Sequence, residues 1–302
     1  MAERTNEQFT LPDGTVVGTG NNFDPDGLKL TAAQFPDELL LDNADIKRLM
    51  DARSLEADRA DRSRYMMNQG QLGTCNWYMI ISMFYQMQNK QRMPHTALAP
   101  EHGYMHTCGG ADNGTTLPEG MKQMMNRGCC SFGMVPYENY KKSNVSDLAA
   151  ADKDGMRFRI HEPYVLPSTS FEDFVRAGSS AIARGFPIGA AWHVSGDSMK
   201  LRGATIGNMK IALAVHGRGR GNHATELHSG LYIGGSQILL PDFKNSWGPC
   251  TDERYGRPKR HGWGEKGFGL TTWEALWATR EFHDFWVGTS VTEDTQSASP
   301  LG

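Results

Sequence analysis

The run NQGQLGTCNWYMIISMFYQM, residues 68 to 87, constrains this chain more than any other stretch, because a polar, glycine-punctuated approach turns at once into a dense apolar segment. Cys75, Met79, Met83 and Met87 recur three to four residues apart, with Ile80 and Phe84 beside them, and so line one broad side of a helix. Trp77 and Ile81 fall off that stripe, which predicts a central helix with core on several sides. Cys75 therefore stands at a helix N-terminus. A thiol there either fills core space or is a nucleophile, since a helix N-terminus and a nearby imidazolium can lower a thiol pKa from about 8.5 to roughly 3.5 to 7.5.

With 302 residues, 39% of them hydrophobic, the chain can close a sizeable core without metal or disulfide support. The formal charge of -3 leaves no electrostatic footprint for nucleic acid or an anionic membrane, so the expected partner is a peptide, a protein or a small molecule. No apolar run approaches a membrane span, and the start MAERTNEQFTLPDG lacks the apolar core of a classical secretion signal. The expected location is cytoplasmic or host-cell cytoplasm, with a viral particle as a further setting. The five cysteines (Cys75, Cys108, Cys129, Cys130, Cys250) show neither disulfide-scaffold nor zinc-ribbon spacing, and no cofactor or metal is expected.

Residues 1 to 40 read as turns with one short hairpin, and residues 44 to 65 as a charged, lightly packed helix or linker. Residues 117 to 128 predict a helix with Pro118 in its first turn and Gly128 at its stop, and residues 171 to 184 another, capped by Ser170. The second half changes to short β-branched and aromatic runs separated by glycines, which predict an antiparallel, barrel-like sheet. The fold class is α+β: a helical lobe at 65–165, a sheet lobe at 166–289, an extension or arm at 1–64 and a polar tail at 290–302. The site is expected in the cleft between the lobes.

A thiol nucleophile needs a base, and the base needs an orienting partner. His223 lies between a Gly/Arg loop and an apparent strand, Asn245 at another strand end, and Trp247 close enough to shield the pair. His228 would point to the opposite face of a regular strand, and Glu226, if buried, must be paired. Arg218 and Arg220 read as solvated, or as attractors of an acidic partner. Cys250 with His261 offers a weak metal alternative.

The motifs QGQLGTC, GNHA, KNSWG and GWGEKGF, in that order and with Cys75 and His223 separated by 148 residues, make the chain resemble the papain-like cysteine peptidases over residues 65–289. The resemblance implies Cys75 as nucleophile, His223 as general base and acid, and Asn245 as the residue that orients the imidazole. It implies Gln69, with the Cys75 backbone N–H, as the oxyanion hole and Trp247 as the indole that covers the histidine. It also places the edge that binds substrate backbone at Asn113, Gly114 and Thr115, with Asn76 next to the nucleophile.

Several positions depart from that family. Asn76 stands where the family has tryptophan, and Trp77 follows one place later. The family's common disulfide falls at Leu72 and near Asp112, and its second edge glycine at Thr115, which narrows the edge. A polar insertion occupies 249–261, and residues 1–64 precede the domain as an attachment arm, a lobe extension or a self-docking cover of the cleft. The leading expectation is a cysteine-dependent peptide-bond hydrolase acting on peptide or protein. The alternative is a papain-like structural or binding protein of a viral or other assembly, joined through its N-terminal extension, with weak or lost catalysis.

Overall fold

The computed structural model describes residues 7–10, 16–22, 33–63, 66–194, 201–206, 209–214, 221–233, 238–248, 267–279 and 285–293. A hairpin, β1 (Glu7–Thr10) with β2 (Val16–Thr19), is followed by a two-residue strand β3 (Asn21–Asn22) and helices α1 (Asn43–Asp51) and α2 (Leu55–Ser63). The helical lobe holds α3 (Cys75–Lys90), α4 (Pro100–Thr107), strand β4 (Thr115–Thr116), α5 (Leu117–Asn126) and α6 (Leu148–Gly155). Strands β5 (Phe158–His161) and β6 (Tyr164–Val165) lead to α7 (Phe171–Ala183).

Helix α3 is central, as its composition predicts: every side chain from Cys75 through Gln88 is buried. Helix α5 starts where Thr116 and Glu119 cap each other reciprocally, with Pro118 in the first turn, and Gly128 just beyond its end takes a φ of +68°. Ser170 caps α7 by accepting from the Asp173 N–H.

The sheet lobe is built from β7 (Ile188–Val194), β8 (Leu201–Ile206), β9 (Met209–Ala214), β10 (Gly221–Ile233), β11 (Ile238–Lys244), β12 (Phe268–Leu270), α8 (Trp273–Trp277), β13 (Phe285–Val287) and β14 (Ser290–Glu293). Eight strands order as β6-β13-β7-β10-β11-β12-β9-β8, and all neighbours are antiparallel except β12 with β9. The long central strand β10 packs against α3 and α2, whose Ser82 and Arg59 reach Glu226, Lys244 and Asp242, while Leu227 and its neighbours Leu239 and Phe243 pack with residues of α1 and α7. Its two faces are therefore both covered, and polar side chains on either face must find partners within the protein.

Two expectations change. The segment 44–65 is not lightly packed: Arg59 of α2 grips the fully buried Asp242 of β11 with two hydrogen bonds, 2.7 and 2.6 Å, and Arg53 donates to Ile182 O at 2.7 Å. Acceptors on β11 and on α7 draw in this charged segment. The tail expected from residue 290 begins instead as β14, paired with β5 and burying Val291. Arg218, Arg220, Cys250, His261, the insertion 249–261 and residues 294–302 lie outside the described residues.

Candidate active site

Cys75 is the first residue of α3 and is fully buried. The next residue explains how the approach loop and helix are locked. Asn76 is buried and its side-chain N–H donates to Thr115 O at 2.7 Å, which ties the start of the helix to the cleft edge. Trp77 points elsewhere, donating its indole N–H to Thr107 Oγ1 at 2.9 Å and lying flat over Gly103, where any Cβ would stand 2.2 Å from the ring.

His223 sits on β10 and Asn245 directly follows β11, so the sheet holds both in register. Asn245 Oδ1 accepts the Ser246 backbone N–H at 2.7 Å and lies 2.8 Å from His223 Nε2. Because that oxygen can only accept, the imidazole proton resides on Nε2 and Nδ1 keeps its lone pair. Nδ1 is buried with no hydrogen-bond partner. The Trp247 indole stacks on the imidazole at 4.1 Å, and Trp192 meets it edge-on at 5.7 Å. Burial pulls the His223 pKa down to about 3, with the Asn245 hydrogen bond acting in the opposite direction. The ring is neutral at ordinary pH in this closed state.

Gln69 is oriented by Ser246 from both ends. Its backbone N–H donates to Ser246 O at 2.9 Å, and its Oε1 accepts from Ser246 Oγ at 2.5 Å. The amide N–H₂ is left to donate to Leu72 O at 3.0 Å and, across the cleft, to the carbonyl of Gly18 at 2.9 Å. Trp247 Nε1 donates to the same carbonyl at 3.3 Å.

Gly18 belongs to the N-terminal segment, which runs through the cleft over Cys75. The Gly20 N–H donates to Cys75 Sγ at 3.3 Å, the Gly18 N–H to Gly70 O at 3.2 Å and the Thr115 N–H to Gly20 O at 2.7 Å. Strand β3 then extends along β4 in parallel, Asn21 opposite Thr115 and Asn22 opposite Thr116. The expected edge thus holds a polypeptide backbone through Thr115, with Gly114 against it and Asn113 exposed alongside. The glycines in VVGTGNN were legible in the sequence only as turn residues; nothing local to residues 16–22 marks them as cleft-bound.

Asp112 occupies the position where the family resemblance places a disulfide partner. Its Oδ1 accepts from the Gly73 N–H at 2.9 Å and from Tyr104 Oη at 2.6 Å, while Tyr104 Oη accepts from the Gly114 N–H at 3.0 Å. One carboxylate and one phenol therefore join the two walls of the cleft without a disulfide. Among the described residues Cys75, Cys108, Cys129 and Cys130 are free thiols, and burial pushes the last three up in pKa.

A buried polar chain lies behind the site and ties its three carriers together. Ser82 of α3 donates to Glu226 of β10 through Oε2 and accepts from Lys244 Nζ of β11 at 2.8 Å. Glu226 is thus joined through Ser82 to its cross-strand neighbour Lys244. His228 is packed, with Nε2 3.5 Å from Asp242 and its ring against Phe268.

Among the described residues one group has the make-up of a metal site, His102, His106 and Asp152. Both imidazole Nε2 atoms lie on Asp152 Oδ1, at 3.0 and 2.7 Å. His102 Nδ1 accepts the Cys130 N–H at 3.2 Å, which keeps the proton of a neutral His102 on Nε2 and leaves that atom no lone pair for a cation.

No family model matches the sequence, and no curated protein matches it. Solved structures do. Xylellain, a cysteine protease from Xylella fastidiosa, superposes with a TM-score of 0.54 at 17% identity, over 74% of this chain and 82% of its own. The proCathepsin B S9 from Trypanosoma congolense superposes with a TM-score of 0.58 at 15% identity, over 92% of this chain and 87% of its own. The chain has a papain-like fold. Identity this low carries the architecture alone, so roles at this papain-like cleft rest on its own residues. No described helix is long and apolar enough to cross a membrane.

Proposed function

We propose that the protein is a cysteine-dependent peptide-bond hydrolase held closed by its own N-terminal segment, with Cys75, His223, Asn245 and Gln69 as the reacting set. The observation that carries the reading is the placement of a peptide carbonyl, Gly18 O, on the Gln69 amide while the adjacent chain contacts Cys75 Sγ. A donor that already holds a peptide carbonyl beside a thiol is placed to hold an oxyanion there once the resident chain is replaced by substrate.

In the open enzyme the His223 Nδ1 lone pair takes the Cys75 proton, and the sulfur attacks the substrate carbonyl carbon. The C–S bond forms as the carbonyl π electrons move to oxygen, where Gln69 Nε2 and the Cys75 N–H stabilise them. His223 returns the proton to the leaving amine as the C–N bond breaks, then accepts a proton from the water that attacks the thioester and hands it to the Cys75 sulfur as the C–S bond breaks. Asn245 keeps the imidazole in the tautomer that makes this possible. Asn76, Gly114 and Thr115 form the edge along which substrate backbone lies, with Asn113 at its rim and Trp247 over the base. Peptide or protein is the substrate class, and no bound cofactor takes part.

Residues 16–22 act as the cover in this reading. They place a carbonyl on the oxyanion donor and an N–H on the sulfur, in a site where burial holds the His223 ring neutral. The full closure of the cleft also favours a second reading, a binding or structural protein of a viral or other assembly that uses the fold with a silent site. Removal of the cover alone, residues 1–22, which leaves α1 and α2 in place, separates the two. The hydrolase reading expects peptide hydrolysis to appear, to vanish in Cys75→Ala and to fall at least a hundredfold in His223→Ala. An intact, opened chain that alkylates Cys75 equally fast with and without His223 overturns it.

A further inference from the structure

We propose that the cleft is a slot selective for glycine, whose ligand class is a Gly-Xaa-Gly peptide and whose resident ligand is Gly18-Thr19-Gly20. The inference deepens the hydrolase reading and rests on it for the word substrate; as a statement about binding it stands on the walls of the slot.

Those walls are backbone. A Cβ on Gly18 would stand 2.3 Å from Gln71 O and 2.6 Å from Leu72 O, and one on Gly20 would stand 2.0 Å from Gly73 O and 2.3 Å from Gly73 Cα. Such contacts cannot be relieved by swinging a side chain aside; the loop that carries Gln69 and leads into α3 would have to move. That loop is held by the Gly73 N–H on Asp112 and by Gln69 on Ser246. The opposite wall is equally bare. Gly114, at a φ of +73°, faces Gly20 so closely that its own Cβ would meet Gly20 O at 2.2 Å. Gly20 is thus pressed between Gly73 and Gly114, in a gap one peptide plane thick.

The backbone of Gly18 and Gly20 is not in the left-handed region, so the requirement for glycine comes from space rather than from conformation. Between them Thr19 is 1% exposed, which shows that the slot takes a side chain at the middle position. Alternation in an extended chain turns residues 18 and 20 to one wall and residue 19 to the other. The selectivity therefore reads glycine, small side chain, glycine. The segment's hydrogen bonds to Gln69, Gly70, Cys75 and Thr115 all involve its backbone, so any peptide that passes the steric filter can make them.

The test uses the full chain. Alkylation of Cys75 by iodoacetamide, read by mass spectrometry on its own peptide, is slow in the wild type and at least tenfold faster in Gly18→Leu and Gly20→Leu, with the milder Gly20→Ala as a second route if either leucine variant fails to fold. In whichever variant opens, the free peptide VVGTGNN restores protection, whereas VVATGNN and VVGTANN need at least tenfold higher concentration. Equal protection by the alanine peptides overturns the glycine slot, and so does a folded Gly20→Leu protein whose Cys75 stays as slow as the wild type. Adding His223→Ala to the opened variant tests the catalytic reading separately. An alkylation rate unchanged by loss of the histidine defeats the hydrolase while leaving the peptide comparison intact.

Discussion

Replacing Lys244 by methionine tests whether the chain behind the site holds together the three elements that carry Cys75, His223 and Asn245. Lys244 is 4% exposed and Glu226 0%, and Ser82 relays between them. Lys244 reaches Glu226 through the Ser82 hydroxyl rather than directly, so removing the ammonium leaves that hydroxyl as the carboxylate's donor and takes away the positive charge behind it. The cost of breaking a direct buried pair, about 3 to 5 kcal/mol, is the upper bound. Neutralising the other partner as well, in Lys244→Met with Glu226→Gln, removes the uncompensated charge. The double variant should then recover about 1 to 3 kcal/mol relative to the sum of the single effects. Urea unfolding of the four proteins at pH 7, followed by tryptophan fluorescence, measures the cycle. Additivity within about 0.5 kcal/mol refutes the relay, because groups linked through Ser82 cannot be independent. Hydrolysis by the opened chain gives a second readout: the reasoning expects a lower kcat with KM little changed, since the network touches α3, β10 and β11 rather than the cleft edge.

Glu101 is buried and accepts from Tyr78 Oη at 2.8 Å, and burial raises its pKa from 4.5 to about 7. The folded state therefore binds the proton more tightly than the unfolded chain, and this contribution is complete below about pH 4.5 and lost as pH rises through about 7; Glu101→Gln should flatten the pH dependence of unfolding by about 3 kcal/mol. His223 runs the other way: its pKa falls from 6.5 to about 3 on burial, so its contribution to folded stability is present above pH 6.5 and lost as pH falls toward 3. Gln69→Ala in the opened enzyme should lower kcat by about a hundredfold to a thousandfold while peptide binding changes little, as expected for an oxyanion donor. Asp112→Asn should disturb the cleft walls and accelerate Cys75 alkylation in the closed protein, whereas an unchanged rate would separate Asp112 from closure.

The legible parts of this molecule were those encoded locally. Met79, Met83 and Met87 announce a buried helix by spacing, Pro118 in a first turn and Ser170 as a cap announce helix starts, and the glycine-separated runs after residue 186 announce a sheet. Gln69, Cys75, His223 and Asn245 stood out because each sits in a short motif, and the fold brings His223 onto Asn245. A self-docking cover was among the expectations for residues 1–64, but which residues form it was not legible, because Gly18 and Gly20 meet their walls across more than fifty residues of sequence and carry no side chain to advertise it. Arg59 misled for a related reason. A charge run in a helix reads as solvated until a buried acceptor such as Asp242, supplied by a strand far along the chain, claims one of its members.

The departure at Asn76 takes its meaning from the cover. A large indole next to the nucleophile would leave Thr115 O without the donor that Asn76 supplies, and that carbonyl belongs to the same residue whose N–H holds Gly20. Asn76 fixes the edge from behind while Gly20 loads it from the front. With Tyr104 and Asp112 bracing Gly114 and Gly73, three polar side chains hold a gap that closes on glycine. The same bracing that narrows the cleft for a general peptide fits it to the segment now inside. Asn76→Ala, which removes the bond to Thr115 O without filling the cleft, should loosen the cover and raise the Cys75 alkylation rate several-fold; a tighter, slower thiol in that variant would contradict this reading of the edge.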